Sequence, residues 1–112
     1  MRANKFNAIT IIVDGIRFSS TKEGSFYRKL CLQKKAIKPD LQVINIELQP
    51  RFDIIVNKQK VAFYKADFRV TYADNHITIF DVKGCKKGAA YQLFKLKKKI
   101  IEALYNIEVV EI

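Results

Sequence analysis

The sequence is poor in several residue types on which common protein classes depend. It has two cysteines, one histidine, two prolines, four glycines and no tryptophan in 112 residues. Cys31 and Cys85 stand alone, without CxxC spacing, so they form neither a zinc-binding pattern nor a disulfide framework. We expect two free thiols, as is usual in the reducing cytosol.

Long apolar runs are also missing. No stretch approaches the roughly 18 residues that span a bilayer, and residues 1–7 are polar, without the apolar segment of a signal peptide. The length suits one domain, and a hydrophobic content of 49% is enough for one modest core. We therefore expect a single domain over residues 1–112, located in the cytoplasm.

Acidic residues are scarce relative to basic ones. The chain has 21 Lys and Arg against 11 Asp and Glu, which gives a formal net charge of +10. Excess lysine can simply keep a small protein in solution, but its distribution is uneven. The segment from residue 83 to 101 contains no acid and has lysines at positions 83, 86, 87, 95, 97, 98 and 99. A segment of one charge sign favours binding to a polyanion such as DNA.

Signals for nucleophilic catalysis and nucleotide binding are absent as well. His76 is the sole histidine and falls in an expected turn, so a Ser-His-Asp triad has no support. The GxxxxGK[ST] pattern of a phosphate-binding loop does not occur. Any catalysis would therefore depend on acids and lysines.

What the sequence does contain is a regular succession of strand and helix signals. Residues 9–18 predict a hairpin with Asp14-Gly15 as its type I′ turn. The segment Ser20-Thr21-Lys22-Glu23 has the form of a capping box and opens a helix predicted over residues 20–36. Three extended segments follow, over residues 43–48, 52–56 and 61–71.

The second half of the chain continues the alternation. A strand is predicted over residues 77–83, then a basic loop over residues 84–88, a helix from Ala89 to Asn106 and a strand over residues 107–110. The order ββ-α-βββ-β-α-β predicts an α/β fold with a mixed central sheet and two main helices packed against it. The expected buried stripe of the second helix consists of Ala90, Leu93, Phe94, Ile101 and Leu104.

The strand predicted over residues 77–83 has charged residues on the face that is expected to be buried. Side chains alternate along a strand, so Asp81 and Lys83 share a face with Ile77 and Ile79. Buried charges are costly unless they are paired or compensated by a cation. The plain alternative is a solvated Asp–Lys pair at the end of a strand.

Whether Asp67 lies beside Asp81 depends on the register of the hairpin formed by the two strands that carry them. A two-residue turn at Asp74-Asn75 would set Asp67 opposite Val82, with Asp81 facing away. An odd-length loop centred on Asp74 would set Asp67 opposite Asp81, with Cβ atoms about 4.5 to 5.5 Å apart. Two carboxylates at that distance repel each other unless a hard cation such as Mg²⁺ bridges them.

Two further polar residues are candidates for the same cluster. Glu23 can act as a helix cap alone, but it also continues the stripe of Phe26, Tyr27 and Leu30 towards the sheet. Gln49 is a weaker candidate, because a polar residue at the end of a strand is ordinary.

These residues, taken in order, resemble the PD-(D/E)XK nuclease superfamily, which includes restriction endonucleases and phage Holliday-junction resolvases. The chain resembles more narrowly a family of short phage-encoded endonucleases of this type. One departure is Ala66, which stands where the superfamily motif has proline; this residue is not a ligand. The matching pieces span nearly the whole chain and are Asp14-Gly15-Ile16-Arg17-Phe18, Leu48-Gln49-Pro50-Arg51-Phe52, Ala66-Asp67-Phe68, Asp81-Val82-Lys83-Gly84 and the lysine run of residues 95–99.

The resemblance implies a restriction-endonuclease-like fold and metal-dependent hydrolysis of DNA. Asp67 and Asp81 would bind Mg²⁺ or Mn²⁺, with the backbone carbonyl of Val82 and the carboxylate of Glu23 as further ligands. Lys83 would lie beside the attacking water. The lysines expected to contact the DNA backbone are Lys86, Lys87, Lys95, Lys98 and Lys99.

The resemblance further implies a branched substrate such as a Holliday junction, and cytoplasmic action in the bacterial host of a phage. Paired incisions need two active sites, so a homodimer is expected. The rival hypothesis is a non-catalytic DNA- or RNA-binding module whose acids are structural pairs. In that case exposed Tyr64, Tyr72 or Tyr91 would stack on bases, although a core or rim position suits each of them better.

Overall fold

Strands and helices follow one another in nearly the order that the hydrophobic periodicity predicts. The structure is a computed structural model that describes residues 10–112. Its elements are β1 (Ile11–Val13), β2 (Ile16–Phe18), α1 (Thr21–Leu32), β3 (Val43–Leu48), β4 (Arg51–Val56), β5 (Gln59–Lys65), β6 (Phe68–Tyr72), β7 (Ile77–Asp81), α2 (Ala89–Tyr105) and β8 (Glu108–Glu111).

The first hairpin has the predicted turn. Asp14 and Gly15 have φ angles of 52° and 79°, and Val13 pairs with Ile16. These are the two left-handed positions of a type I′ turn, which match the right-handed twist of the flanking strands. The predicted start of the hairpin at residue 9 and the polar segment of residues 1–7 lie outside the described residues.

Helix α1 begins where the capping signal predicts and ends earlier than expected. The hydroxyl of Ser20 accepts a hydrogen bond from the Glu23 backbone N–H at 3.1 Å, which fixes the first turn. The α-helix stops at Leu32 and is followed by a single 3₁₀ turn, Gln33–Lys35. The predicted end at residue 36 was wrong, because Ile37 is 95% exposed and no burial favours a longer helix.

The segment predicted as one strand over residues 61–71 forms two strands. β5 pairs with β4, whereas β6 pairs with β3 and β7, so the chain changes partners at Ala66 and Asp67. The Ala66 N–H donates to the carbonyl of Pro50, and the Asp67 N–H donates to the carbonyl of Phe80. The break therefore places Asp67 at the junction between two sheets.

The central sheet is mixed, as predicted. Its strand order is β3-β6-β7-β8, with the β7–β8 pair parallel and the other pairs antiparallel, while β4 and β5 form a separate hairpin. The β6–β7 register pairs Phe68 with Phe80 and Thr71 with Ile77, so the loop is centred on Asp74. The structure thus has the odd-length loop, and Asn75 takes its left-handed position with φ of 74°.

Two apolar cores lie on opposite faces of this sheet. α1 and the first hairpin cover one face, where Leu30, Phe68 and Val70 are fully buried. α2 and the β4–β5 hairpin cover the other, around Ile79 and Ile101. The structure is therefore mixed α/β with one helix on each side of the central sheet.

The buried stripe predicted for α2 was only partly right. Phe94 and Ile101 are buried, but Leu93 and Leu104 are each 52% exposed and Ala90 is exposed too. The helix packs along a narrow line, because the sheet and the β4–β5 hairpin contact it from one side. β7 also ends at Asp81 rather than at residue 83, and β8 runs one residue later than predicted. None of the helices within residues 10–112 has the length and apolar character needed to cross a membrane.

We predict that Gly24→Ala destabilises the protein although alanine favours helix. A Cβ on Gly24 would overlap Cγ1 and Cδ1 of Ile11 and lie 3.3 Å from Cγ2 of Val13. Overpacking costs about 1 to 3 kcal/mol, against a gain of about 1 kcal/mol in helix propensity. Urea denaturation should show a lower free energy of unfolding, while Ser25→Ala, at the exposed neighbouring position, should leave it unchanged or higher. Equal gains in both variants would contradict the close packing of α1 on β1.

Candidate active site

One cavity collects the acids and the lysine that the sequence singled out. It has a volume of about 410 Å³ and lies where the end of β7 faces the first turns of α2. α1 contributes Glu23, the break before β6 contributes Asp67, and the segment after β7 contributes Val82 and Lys83. Asp81, the last residue of β7, completes the set. The candidate catalytic residues, which are far apart in sequence, thus share one space.

Asp67 is held by the backbone of the neighbouring strand. The β6–β7 register pairs Phe68 with Phe80, so the next residues along each strand are Asp67 and Asp81. The Oδ2 atom of Asp67 accepts a hydrogen bond from the Val82 N–H at 2.7 Å. This bond fixes the carboxylate beside the end of β7.

The surroundings of Asp67 disfavour its negative charge. Burial raises the pKa of Asp67 to about 8 from its ordinary value of 3.8, although the hydrogen bond from Val82 opposes the shift. The charges of Asp81 and Glu23 raise this pKa further, and the Glu23 carboxyl is close enough to share a hydrogen bond with it. Both acidic neighbours therefore oppose a negative charge on Asp67.

Asp81 is the most deeply buried of the acids and has two partners. Its side chain is 7% exposed. The Tyr64 hydroxyl donates a hydrogen bond to its Oδ2 atom. The Lys83 ammonium lies 3.3 Å from Oδ1, with the lysine side chain 24% exposed. A solvated pair at a strand end, the plain alternative from the sequence, does not describe this buried arrangement.

Lys83 is positioned by contacts at both ends of its side chain. Its Nζ atom lies 3.9 Å from the centroid of the Phe94 ring, which adds a cation–π contact to the ion pair with Asp81. Its backbone N–H donates to the Ile112 carbonyl, and its own carbonyl accepts a hydrogen bond from Lys22 Nζ at 3.0 Å. The ammonium is thereby kept at the cavity although Lys83 lies beyond the end of β7.

Glu23 combines its place in the helix cap with a place in the cavity. Its backbone N–H donates to Ser20, and its Oε2 atom accepts hydrogen bonds from the hydroxyls of Ser19 and Ser20. The side chain is half-buried and lines the cavity next to Asp67. Both functions considered from the sequence are therefore compatible with its position.

Sequence reasoning missed the role of Tyr64. Tyr64 and Tyr72 are only 5% and 7% exposed, so both have the core position that suited them better than stacking on bases. Burial raises the pKa of Tyr64 well above its ordinary value, and the hydrogen bond to Asp81 acts in the same direction. Tyr64 thus remains a protonated donor that orients Asp81. The signal for this was the inward alternation of Ala62, Tyr64 and Ala66.

The other sequence candidates lie around the cavity rather than in it. Gln49 has a left-handed backbone with φ of 50°, and its N–H donates to the Asp67 carbonyl at 2.9 Å. It lines a second cavity of about 200 Å³ on the other side of Asp67 and Glu23. His76 stacks on Tyr72 in the β6–β7 turn, as expected for a loop residue.

The predicted DNA-binding lysines lie outside the carboxylate cavity. Lys95, Lys98 and Lys99 line a separate cavity of about 280 Å³ together with Tyr91, whose hydroxyl donates to Glu111. Two others, Lys86 and Lys87, are exposed in the loop before the helix. Lys97, which the prediction left out of this set, lines the carboxylate cavity itself.

The donors at the carboxylate cavity are oxygen atoms. Within the part of the chain that the structure describes, no three Asp, Glu, His or Cys side chains are grouped closely enough to enclose a metal ion by themselves. Carboxylate and carbonyl oxygens suit hard cations that retain several waters, such as Mg²⁺, better than metals that need nitrogen or sulfur ligands. The repulsion between Asp67, Asp81 and Glu23 is the feature that a divalent cation would relieve.

One comparison with known proteins gives a match. A family model described as "Protein of unknown function (DUF1064)" matches residues 3–110. No curated protein and no solved structure matches the chain. The family match covers every element described above except the last residue of β8.

We predict that Asp67→Asn stabilises the protein at alkaline pH. The folded state holds the Asp67 proton more tightly than the unfolded state. The stability that this proton contributes is fully present below pH 3.8 and is lost as the pH rises through 8. Asparagine avoids this loss and still accepts the Val82 N–H, so we expect a gain of about 1 to 2 kcal/mol at about pH 9.

Urea denaturation at about pH 5, 7 and 9 measures this effect. Asp74→Asn is the control of opposite sign, because the His76 backbone N–H lowers the pKa of Asp74. Asp74→Asn should have a lower free energy of unfolding than the wild type at pH values above the pKa of aspartate in the unfolded chain. A gain for Asp67→Asn that stays the same at every pH would contradict the raised pKa.

Proposed function

We propose that this chain, which belongs to the DUF1064 family, is a magnesium-dependent DNA endonuclease of the PD-(D/E)XK type. The observation that carries the proposal is that Asp67, Asp81 and Lys83 line one cavity. A mixed sheet with one helix on each face is compatible with a restriction-endonuclease-like fold, which is part of the proposal.

The electrostatics of the cavity favour a function over a purely structural role. A buried Asp–Lys pair can be neutral on its own, and Asp81 with Lys83 is such a pair. Asp67 and Glu23 are acids that the pair does not neutralise, and the charges of Asp81 and Glu23 raise the cost of charging Asp67. Clusters of like charge in a cavity are typical of sites that bind a cation and perform catalysis.

Each residue has a distinct task in the proposed reaction. Asp67 and Asp81 would hold Mg²⁺ or Mn²⁺, with the Val82 carbonyl and Glu23 as additional oxygen donors. The bound cation would lower the pKa of the attacking water and neutralise charge on the scissile phosphate. Lys83 orients hydroxide or stabilises the negative charge that develops on the phosphate oxygens.

The tyrosine and phenylalanine of the site position the charged groups. Tyr64 donates a hydrogen bond to one oxygen of Asp81. The carboxylate therefore keeps its orientation if Lys83 moves away. Phe94 keeps the Lys83 ammonium beside the cavity through its ring face. Lys83 can then exchange its contact with Asp81 for a contact with phosphate without leaving the site.

The substrate class is proposed from the resemblance to phage resolvases. Lys86 and Lys87 in the loop and Lys95, Lys98 and Lys99 on α2 would neutralise phosphates of the DNA backbone. We propose branched duplexes such as Holliday junctions as substrates, as that resemblance implies. Paired incisions need two such sites, and the proposal therefore includes a homodimer.

We predict that Asp81→Asn abolishes magnesium-dependent cleavage and retains DNA binding. The substitution removes a charged ligand while its amide oxygen still accepts from Tyr64. Cleavage of a labelled four-way junction should fall about 10³-fold, and affinity measured in EDTA should be unchanged or higher. The matched control, Asp74→Asn, changes an exposed acid in the β6–β7 turn and should cleave like the wild type.

The same experiment includes linear, nicked and single-stranded DNA, each with and without magnesium. A wild-type protein that binds these DNAs but cleaves none of them with Mg²⁺ or Mn²⁺ would support the non-catalytic module instead. Cleavage that survives in Asp81→Asn would also contradict the proposal, since another site would then perform the chemistry.

We predict that DNA affinity falls steeply with salt. If the five lysines named above and Lys97 contact phosphates, the slope of log K against log salt concentration is about −5, because each neutralised phosphate releases counterions. Lys95→Ala combined with Lys99→Ala should make the slope shallower by about 2. Fluorescence anisotropy at several salt concentrations measures both slopes. An unchanged slope in the double variant would remove these two lysines from the interface.

A further inference from the structure

A group of cations surrounds an exposed aromatic ring beside the carboxylate cavity. Phe63 of β5 is 42% exposed. The guanidinium carbon of Arg51 lies 3.9 Å from the centroid of its ring, and the ammonium groups of Lys97 and Lys60 lie at 5.6 and 5.8 Å. We call Phe63, Arg51, Lys60 and Lys97 the aromatic patch.

Core packing does not require an aromatic residue at this position. The inner face of the β4–β5 hairpin buries Phe52, Ile54 and Tyr64 in the core beneath α2. Phe63 alternates with Tyr64 and lies on the outer face, where a polar residue would serve the sheet equally well. Its carbonyl accepts a hydrogen bond from Lys97 Nζ at 2.8 Å, but that contact needs only the backbone.

The patch stays positive although it contains one acid. Asp53 lies 3.5 Å from Arg51 and 3.3 Å from Lys60, and these contacts hold both cations over the ring. One carboxylate against three cations leaves an excess of positive charge. Such a surface attracts phosphate groups, and the Phe63 ring is then exposed to the nucleotide that carries them.

The aromatic patch is continuous with the candidate active site. Phe63 and Lys97 line the same cavity as Asp67 and Asp81, and so does Lys65, which follows on the same strand. A phosphate held at the carboxylates would therefore have its neighbouring nucleotide at Phe63. Fully paired DNA presents only phosphates and groove edges there, whereas an unpaired base presents a flat aromatic face.

We propose that Phe63 stacks on an unpaired DNA base next to the scissile phosphate, while Arg51, Lys60 and Lys97 contact the flanking phosphates. The inference rests on the proposed nuclease function and narrows its substrates, among branched DNAs, to those with an unpaired base at the branch. The Arg51 side chain is 51% exposed, so it has room to leave the ring for a phosphate when a base takes its place. Stacking of this kind tolerates any base, so it selects structure rather than sequence.

The test compares two DNA substrates of identical sequence, one fully paired and one with an unpaired flap at the cleavage position. We expect kcat/KM of the wild type to be about 10-fold higher on the flap. Phe63→Leu keeps an apolar side chain without a ring, so the ratio of kcat/KM on the flap to kcat/KM on the paired duplex should fall to about 1. Phe63→Tyr restores the ring and should keep the preference.

A binding measurement separates this inference from the nuclease proposal. Anisotropy in EDTA gives the Kd of the same two DNAs, and circular dichroism checks the fold of each variant. Val61→Ala, exposed on the same strand, is the matched control and should behave like the wild type. Loss of flap affinity in Phe63→Leu by about 10-fold supports the stacking site even if no DNA is cleaved.

Three results would overturn the inference. In the first, the wild type cleaves DNA but Phe63→Leu retains its preference for the flap, so the nuclease proposal stands without the stacking site. In the second, wild type and Phe63→Leu bind both DNAs equally well. Equal loss of affinity for both DNAs in Phe63→Leu and Val61→Ala would point to a general role of β5 and would also contradict it.

Discussion

The structure of the site depends on the hydrogen bond from the Val82 N–H to the Asp67 carboxylate. This bond, 2.7 Å long, joins the break between β5 and β6 to the end of β7. It keeps Asp67 beside Asp81 and points both acids into the cavity that also receives Glu23 from α1. Because the chain changes sheets at Ala66 and Asp67, Asp67 lies just beyond the regular β6–β7 pairing, and this backbone donor orients its carboxylate.

Charge balance in the cavity explains why this position suits a cation. Asp81 has a hydroxyl and an ammonium as partners, whereas the pKa of Asp67 is raised to about 8 by burial and by its acidic neighbours. The protein therefore folds around an arrangement that costs stability near neutral pH, in a chain whose overall charge is +10. A site of this kind is easier to explain by a bound ligand than by packing alone, which is the basis of the nuclease proposal.

The features that were predicted well are those set by near neighbours in the chain. The Asp14-Gly15 turn, the Ser20 cap and the mixed sheet appear as expected, and the single strand predicted over residues 61–71 does not. Residues on both sides of the break have the same strand propensity, so nothing local marks the change of partners. The stripe on α2 was overestimated for a related reason, because periodicity shows which residues share a face but not how wide the opposing surface is.

The sequence by itself determined the local conformations, the excess of basic charge and the shared direction of Asp81 and Lys83, since turn geometry, capping and strand alternation act over a few residues. Only the tertiary structure decided which turn the Asp74 region adopts, and hence that Asp67 lies beside Asp81. Long-range packing likewise set Tyr64 against Asp81 and gathered cations around Phe63. Such contacts join residues far apart in the chain, and their free energies depend on a register and a packing that no short segment specifies.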